Sequence, residues 1–120
     1  MHDVDAQITI FKALAHPVRL QIMALLRYGE VCVCHMESAL DKRQAYISQQ
    51  LMILREAGLI DSRKDGRQVF YWITDDRTRA VLDAALGEAP TGDLPQIAGC
   101  PCPMCSTVPL DTIAVRQRQA

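Results

Sequence analysis

Val4, Ile8, Phe11 and Leu14 recur at three- and four-residue intervals and predict a first helix over residues 3–15. His16 and Pro17 interrupt it. Proline suits the first position of a helix, where its missing N–H has no partner to lose, so a second helix starts at Pro17. Val18, Ile22, Leu25 and Leu26 give that helix its apolar face, and Gly29 ends it. His16 stands at the junction, where a capping or structural role is the simplest use of it. A short third helix over residues 34–40 offers Met36, Ala39 and Leu40 to a core. After the polar break of Asp41, Lys42 and Arg43, a fourth helix over residues 44–57 stops at Gly58. Ile47, Leu51 and Leu54 share one of its faces, while Ala45, Ser48, Gln49 and Met52 share the other.

From residue 60 the period changes from helical to alternating. Val69, Tyr71 and Ile73 alternate with Phe70 and Trp72, and Asp65-Gly66 separates this run from a shorter one before it. Asp-Gly between strand-like runs is a strong hairpin signal, with positive φ expected at both central residues. A last helix over residues 75–87 follows the Thr74-Asp75 cap and carries Val81, Leu82, Ala85 and Leu86. The expected fold is mainly α with a small β-hairpin: a winged helix-turn-helix in the order α-α-α-α-β-β-α. The first and last helices offer more apolar surface than so small a domain buries alone. A homodimer is therefore expected, its two-fold axis matching that of a two-fold operator in double-stranded DNA.

The organisation divides at residue 88. Residues 1–88 form the winged DNA-binding and dimerisation domain, and residues 89–120 form a tail. Six prolines occur in the whole chain, and Pro90, Pro95, Pro101, Pro103 and Pro109 fall in that tail, with no sustained apolar period between them.

Charge distribution sharpens the DNA reading. The chain of 120 residues has a net charge of −1, which does not suit a generic basic nucleic-acid coat. Residues 42–72, however, hold six Lys/Arg against three Asp/Glu, a local excess of positive charge on an acidic body. The amide- and hydroxyl-bearing face of the fourth helix, with Gln44, Ala45, Ser48 and Gln49, is placed to meet base edges. Arg63, Lys64 and Arg67 of the hairpin are placed to hold phosphates.

Five cysteines, an odd number, do not suggest a secreted disulfide framework, and thiols in a cytosolic chain are more often ligands or redox groups. Cys32 and Cys34 flank the start of the third helix. One helical step turns about 100°, so the two converge on one ion only if Cys32 precedes the helix or its first turn loosens. A helix N-terminus also favours thiolate over thiol. Two thiols seldom satisfy a soft ion, and Cys100, Cys102 and Cys105 of the tail are the remaining supply, kept out of regular helix by their prolines. The tail thiols either complete the Cys32/Cys34 site or form a separate structural zinc site, redox loop or three-thiol site. His35 is adjacent to the pair and points elsewhere.

Other classes fit less well. A thiol-based arsenate reductase or phosphatase needs an anion loop ending in arginine, yet Leu40 and Ser106 stand where Cys34 and Cys100 would require it. No enzyme activity and no small-molecule substrate are expected. Asp3, Asp5 and Lys12 interrupt the start, so no signal peptide or membrane span is expected, and the chain reads as cytoplasmic.

Five segments in combination resemble the ArsR/SmtB family of winged-helix metal-sensing repressors over residues 5–87. They are AHPVRL at 15–20, GEVCVC at 29–34, ISQQL at 47–51, LREAGL at 54–59 and RKDGRQVFY at 63–71. The resemblance implies a homodimeric repressor of a resistance operon that leaves its operator when a toxic ion binds. The CVC box is similar to the thiol site of the family's arsenic/antimony and cadmium/lead sensors. Together with the all-thiol supply, this implies As(III) or Sb(III) as the inducer, with Cd(II), Pb(II) or Zn(II) as alternatives and a thiol redox sensor as a rival on the same fold. Glu37 stands where one type of arsenic sensor has a third cysteine. The N-terminal segment has no cysteine, and residues 75–88 have no histidine for the family's other zinc site.

Overall fold

Pro17 opens a helix against which four other helices and one strand pack. The computed structural model describes residues 2–97 and 100. The elements are α1 (His2–Leu14), α2 (Pro17–Leu26), β1 (Val31–Cys32), α3 (Val33–Leu40), α4 (Gln44–Glu56), β2 (Ile60–Asp65), β3 (Gln68–Ile73) and α5 (Asp76–Leu86). His16 is extended, and its Nδ1 accepts from the backbone N–H groups of Val18 and Arg19 at 3.2 and 3.4 Å. It thus caps α2 by satisfying donors that have no partner inside the helix. Ile22, Met23 and Leu26 of α2 are wholly buried, and the helix touches α1, α3, α4, α5 and β3. Ile47, Leu51 and Leu54 of α4 reach the same core, joined by Met36, Leu59 and Leu82. This is the winged helix-turn-helix that the apolar spacing implies.

The structure adds one element and corrects two details. Val31 and Cys32 form a short strand antiparallel to β3, pairing with Tyr71 and Phe70, so the sheet has three strands in the order β1-β3-β2. Two residues are too few to show alternation, and only the partner strand makes them a strand. The hairpin turn lies one residue later than expected. Asp65 pairs with Gln68, leaving Gly66 and Arg67 as the loop. Gly66 has φ +62°, whereas neither Asp65 nor Arg67 has positive φ. A glycine at the first central position followed by an ordinary residue is the type II′ pattern, which needs only one positive φ. In α3, Met36 is buried as expected but Ala39 is exposed, and His35 is buried in its place.

Register sorts the sheet into two faces. Val31, Ile60 and Ile73 turn toward the helical core. Cys32 and Phe70, directly opposite one another, lie on the other face, where Cys100 packs against both. Leu94 is buried in the main core.

Two polar contacts lock the helices. Arg19 donates from Nε to the Ala13 carbonyl at 2.5 Å, from Nη1 to Gln50 Oε1 at 2.9 Å and from Nη2 to the Lys12 carbonyl at 3.3 Å. One guanidinium therefore ties the end of α1 to the middle of α4. At the other end of the domain, the Asp75 carboxylate caps α5 by accepting from the Thr78 N–H at 2.8 Å. Hydrogen bonds from Thr78 hold the Asp75 carboxyl below the usual range. Asp75→Ala is expected to lower stability by about 1 kcal/mol in urea denaturation at neutral pH. A depressed carboxyl pKa stabilises above its unfolded value and is lost as pH falls through the folded one, so the gap between the two proteins should close in acid.

No single helix among the described residues is long and apolar enough to cross a membrane. Val4, Ile8 and Phe11 form a stripe along α1 that remains 45–55% exposed.

Candidate nucleic-acid interface and thiol pair

The burial of Ile47, Leu51 and Leu54 dictates what α4 shows to solvent. Gln44, Ala45, Ser48 and Gln49 are all exposed, on the side of the helix away from the core. Gln50, by contrast, is buried and engaged by Arg19. The wing residues Arg63, Lys64 and Arg67 are exposed as well, but they are not equivalent. Arg63 pairs with Glu30 at 2.5 Å and with Asp65 at 3.7 Å, and its guanidinium lies 4.8 Å from the centre of the Phe70 ring. Arg67 sits in the turn and lines a groove of about 250 Å³ with Gln44 and Ser48 of α4.

The third side of that groove is the thiol segment. Cys34 and Glu37 of α3 line it, as do Gln68 and Tyr71 of β3. Cys32 precedes α3 in extended conformation, with φ −76° and ψ 145°, and Cys34 lies in the first turn. The two residues therefore escape the 200° separation that two helical steps impose. Their Sγ atoms are 2.6 Å apart, and both sulfhydryls donate to Oε1 of Gln68, at 2.9 Å from Cys32 and 3.3 Å from Cys34. Cys32 is fully buried and Cys34 partly so.

Cys100 is 5% exposed and belongs to the same small cluster as Cys32 and Phe70, with Cys34 and Ile97 packed against it. Its backbone N–H donates to the Ile97 carbonyl at 3.1 Å. Cys102 and Cys105 lie outside the described residues. Among the described residues, no three His, Cys, Asp or Glu side chains form a complete metal-holding group. The donors that do converge are two soft sulfurs, which fit part of the coordination of a thiophilic ion and leave room for a further ligand. Burial pushes the His35 imidazole below its ordinary pKa, favouring the neutral ring.

Sequence reasoning found the thiol pair and the exposed row of α4. It missed Gln68, for which no local signal exists: residue 68 shares a strand face with Phe70, but that face meets the thiols only because Phe70 pairs with Cys32. It also missed the Arg19–Gln50 contact, which joins positions 31 apart.

The family described as "Bacterial regulatory protein, arsR family" matches residues 16–62. An HTH-type transcriptional regulator of Methanocaldococcus jannaschii is 41% identical over 83 residues, covering 68% of this chain and 93% of that protein. A biofilm growth-associated repressor of Agrobacterium fabrum is 43% identical over 75 residues, 62% of this chain and 64% of the relative. The arsenical resistance operon repressor of Escherichia coli is 49% identical over 65 residues, 53% of this chain and 56% of the relative. The chain thus spans somewhat under two thirds of the length of the last two. Among solved structures, HlyU from Vibrio cholerae superposes with a TM-score of 0.67 at 31% identity, covering 69% of this chain and 90% of that one. The homodimeric winged helix-turn-helix DNA-binding domain of a Mycobacterium bovis regulator gives 0.64 at 29% identity, covering 68% and 76%.

Proposed function

The chain belongs to the arsR family of bacterial regulatory proteins, and from that premise we propose that it is a homodimeric repressor whose hold on operator DNA is governed by the Cys32/Cys34 pair. One observation carries the reading: Gln44 and Ser48 of α4, Arg67 of the wing and Cys34 of α3 line a single groove. A DNA-facing surface and a soft-ligand site share a wall. Any event at the sulfurs is therefore within one side chain of groups suited to bases and phosphates.

Gln44, Ala45, Ser48 and Gln49 face the major groove, and glutamine suits the donor–acceptor pair of adenine. Lys64 and Arg67 hold phosphates, with Arg63 contributing from its place between Glu30 and Phe70. Loss of a bidentate base contact, as in Gln44→Ala, is expected to cost about 1–3 kcal/mol and to relax specificity at one position. Arg67→Ala is expected to weaken all sequences alike and to reduce the salt slope by about one. Fluorescence anisotropy with an operator, a scrambled duplex and two salt series checks both. If the two substitutions shift specificity equally, the division of labour is wrong.

The inducer is a thiophilic ion, As(III) or Sb(III) ahead of Cd(II), Pb(II) or Zn(II). The converging pair of soft sulfurs and the arsenical resistance repressor among the relatives support that order. Cys32 and Cys34 supply two ligands, and Cys100, Cys102 or Cys105 supplies the rest. Cys32 at the end of β1 and Cys34 on α3 would hold such an ion through sulfurs that belong to separate elements. The protein's part is to hold Cys32 at the end of β1 and Cys34 on α3, so that a change at the pair acts at the wall of the DNA-facing groove. Arsenite, antimonite, cadmium, lead and zinc titrated against an operator complex in reductant test the inducer directly. A second reading, an oxidant-responsive repressor, is favoured by the close approach of the two sulfurs. Release by peroxide but by no ion under reducing conditions would select it.

A further inference from the structure

We propose that Gln68 couples the thiol pair to the wing: its side-chain carbonyl, held by the sulfhydryls of Cys32 and Cys34, fixes the first residue of β3 beside the DNA-facing groove, and loss of those two donors frees the wing. The inference rests on the repressor reading above and names the side chain through which the thiols act.

Gln68 occupies a junction. Its Oε1 accepts from both sulfurs, at 2.9 and 3.3 Å. Its backbone closes the hairpin opposite Asp65, directly after the loop residues Gly66 and Arg67. Its side chain lines the groove that also contains Arg67, Gln44 and Ser48. A displacement of this residue therefore reaches the phosphate-facing arginine through one peptide bond. The route from the thiols through α3 to α4, by contrast, must move packed apolar side chains, including the fully buried Met36, Ile47 and Leu51. Close-packed cores resist such small shifts, whereas a two-strand hairpin tip beyond the reach of β1 does not. β1 pairs only with Tyr71 and Phe70, so Gln68 has β2 alone as a strand neighbour.

The chemistry gives the coupling its direction. A carbonyl oxygen is an acceptor only, and a thiol provides the donor. A thiol that takes up an ion loses its proton, to the hydroxide that leaves arsenite as water or, for a divalent ion, to solvent, so it has no S–H to give and presents an electron-rich surface to Oε1. The amide must then turn over or leave. Either movement removes what holds residue 68 in register with the thiol segment. Gln68 is in this sense a positioning residue for Arg67.

Amide hydrogen exchange of the full chain, kept reduced, tests this by comparing residues 63–71 with Ile22 and Met23 of α2 in the same sample. Gln68→Met keeps the length of the side chain and loses the acceptor. Cys32→Ala/Cys34→Ala keeps the acceptor and loses both donors. Each is expected to raise wing exchange about tenfold while the α2 amides stay put. Cys32→Ser/Cys34→Ser restores hydroxyl donors and is expected to exchange like the unsubstituted chain. Arsenite should raise wing exchange in the unsubstituted chain and leave Gln68→Met unaltered, with ultraviolet absorbance of sulfur-bound arsenic developing in both. The coupling is overturned if the alanine pair keeps normal wing exchange, if the serine pair behaves like the alanine pair, or if wing and α2 amides rise together. Absence of the arsenic absorbance would sink the inducer reading alone, because the alanine and methionine variants decide the coupling without any ion.

Discussion

Cys32→Ser and Cys34→Ser are each expected to bind operator as the unsubstituted chain does and to fail to leave it when arsenite is added. The sulfurs lie 2.6 Å apart, so either substitution removes half of the converging pair while leaving the exposed row of α4 intact. An inducer shifts an equilibrium only by its difference in affinity for the two states, a coupling of about 1–3 kcal/mol in typical cases. Without the paired sulfurs that difference disappears, and a release of about 5- to 150-fold falls to none. Serine retains a donor for Gln68 Oε1, so basal operator affinity is expected to hold. Anisotropy of a labelled operator in reductant reads both quantities. The assignment fails if the double serine variant releases normally while a chain lacking Cys100, Cys102 and Cys105 does not, since sensing would then lie in the tail.

Phe11→Glu, alone or with Ile8→Glu, is expected to convert a dimer into folded monomers. Phe11 is 55% exposed and Ile8 is 45% exposed, so neither contributes much to the core of its own subunit. Covering the exposed half of such side chains in a partner is worth about 1 kcal/mol each, and a buried glutamate replaces that gain with a desolvation cost. A monomer also forfeits the second half-site. Joining two sites on one ligand multiplies affinity by about 10²–10⁴, so operator binding should fall by a comparable factor without any DNA contact being touched. Light scattering at micromolar concentration reads the assembly, and the urea midpoint reads the fold. A variant that stays dimeric would place the interface elsewhere.

Much of the architecture is legible along the chain because its causes are local. Apolar spacing alone marks α1, α2, α4 and α5, and their termini carry their own chemistry: His16 and Pro17 at one start, Asp75 at another. The polar row at Gln44, Ser48 and Gln49 follows once Ile47, Leu51 and Leu54 are assigned to the core, since a helix has only two faces to divide. The thiol pair was legible too, together with the geometric condition on it. Two cysteines two residues apart converge only if the first lies outside the helix, and Cys32 lies there.

What lay beyond the sequence depends on partners distant in the chain. Val31 and Cys32 are a strand only because Tyr71 and Phe70 offer free backbone groups on the edge of β3. The turn at Gly66 slipped by one because cross-strand register, and not the Asp-Gly pair itself, decided which residues pair. Gln50 carries no local mark of burial, and Arg19 engages it from 31 positions away. Gln68 is the fullest case: its neighbours in sequence mark a wing, and its neighbours in space are two sulfurs 34 and 36 residues earlier. Periodicity and capping are encoded within a few residues and can be read one residue after another. Register and side-chain pairing are settled by the shared minimum of the whole core, which no single stretch of this chain contains.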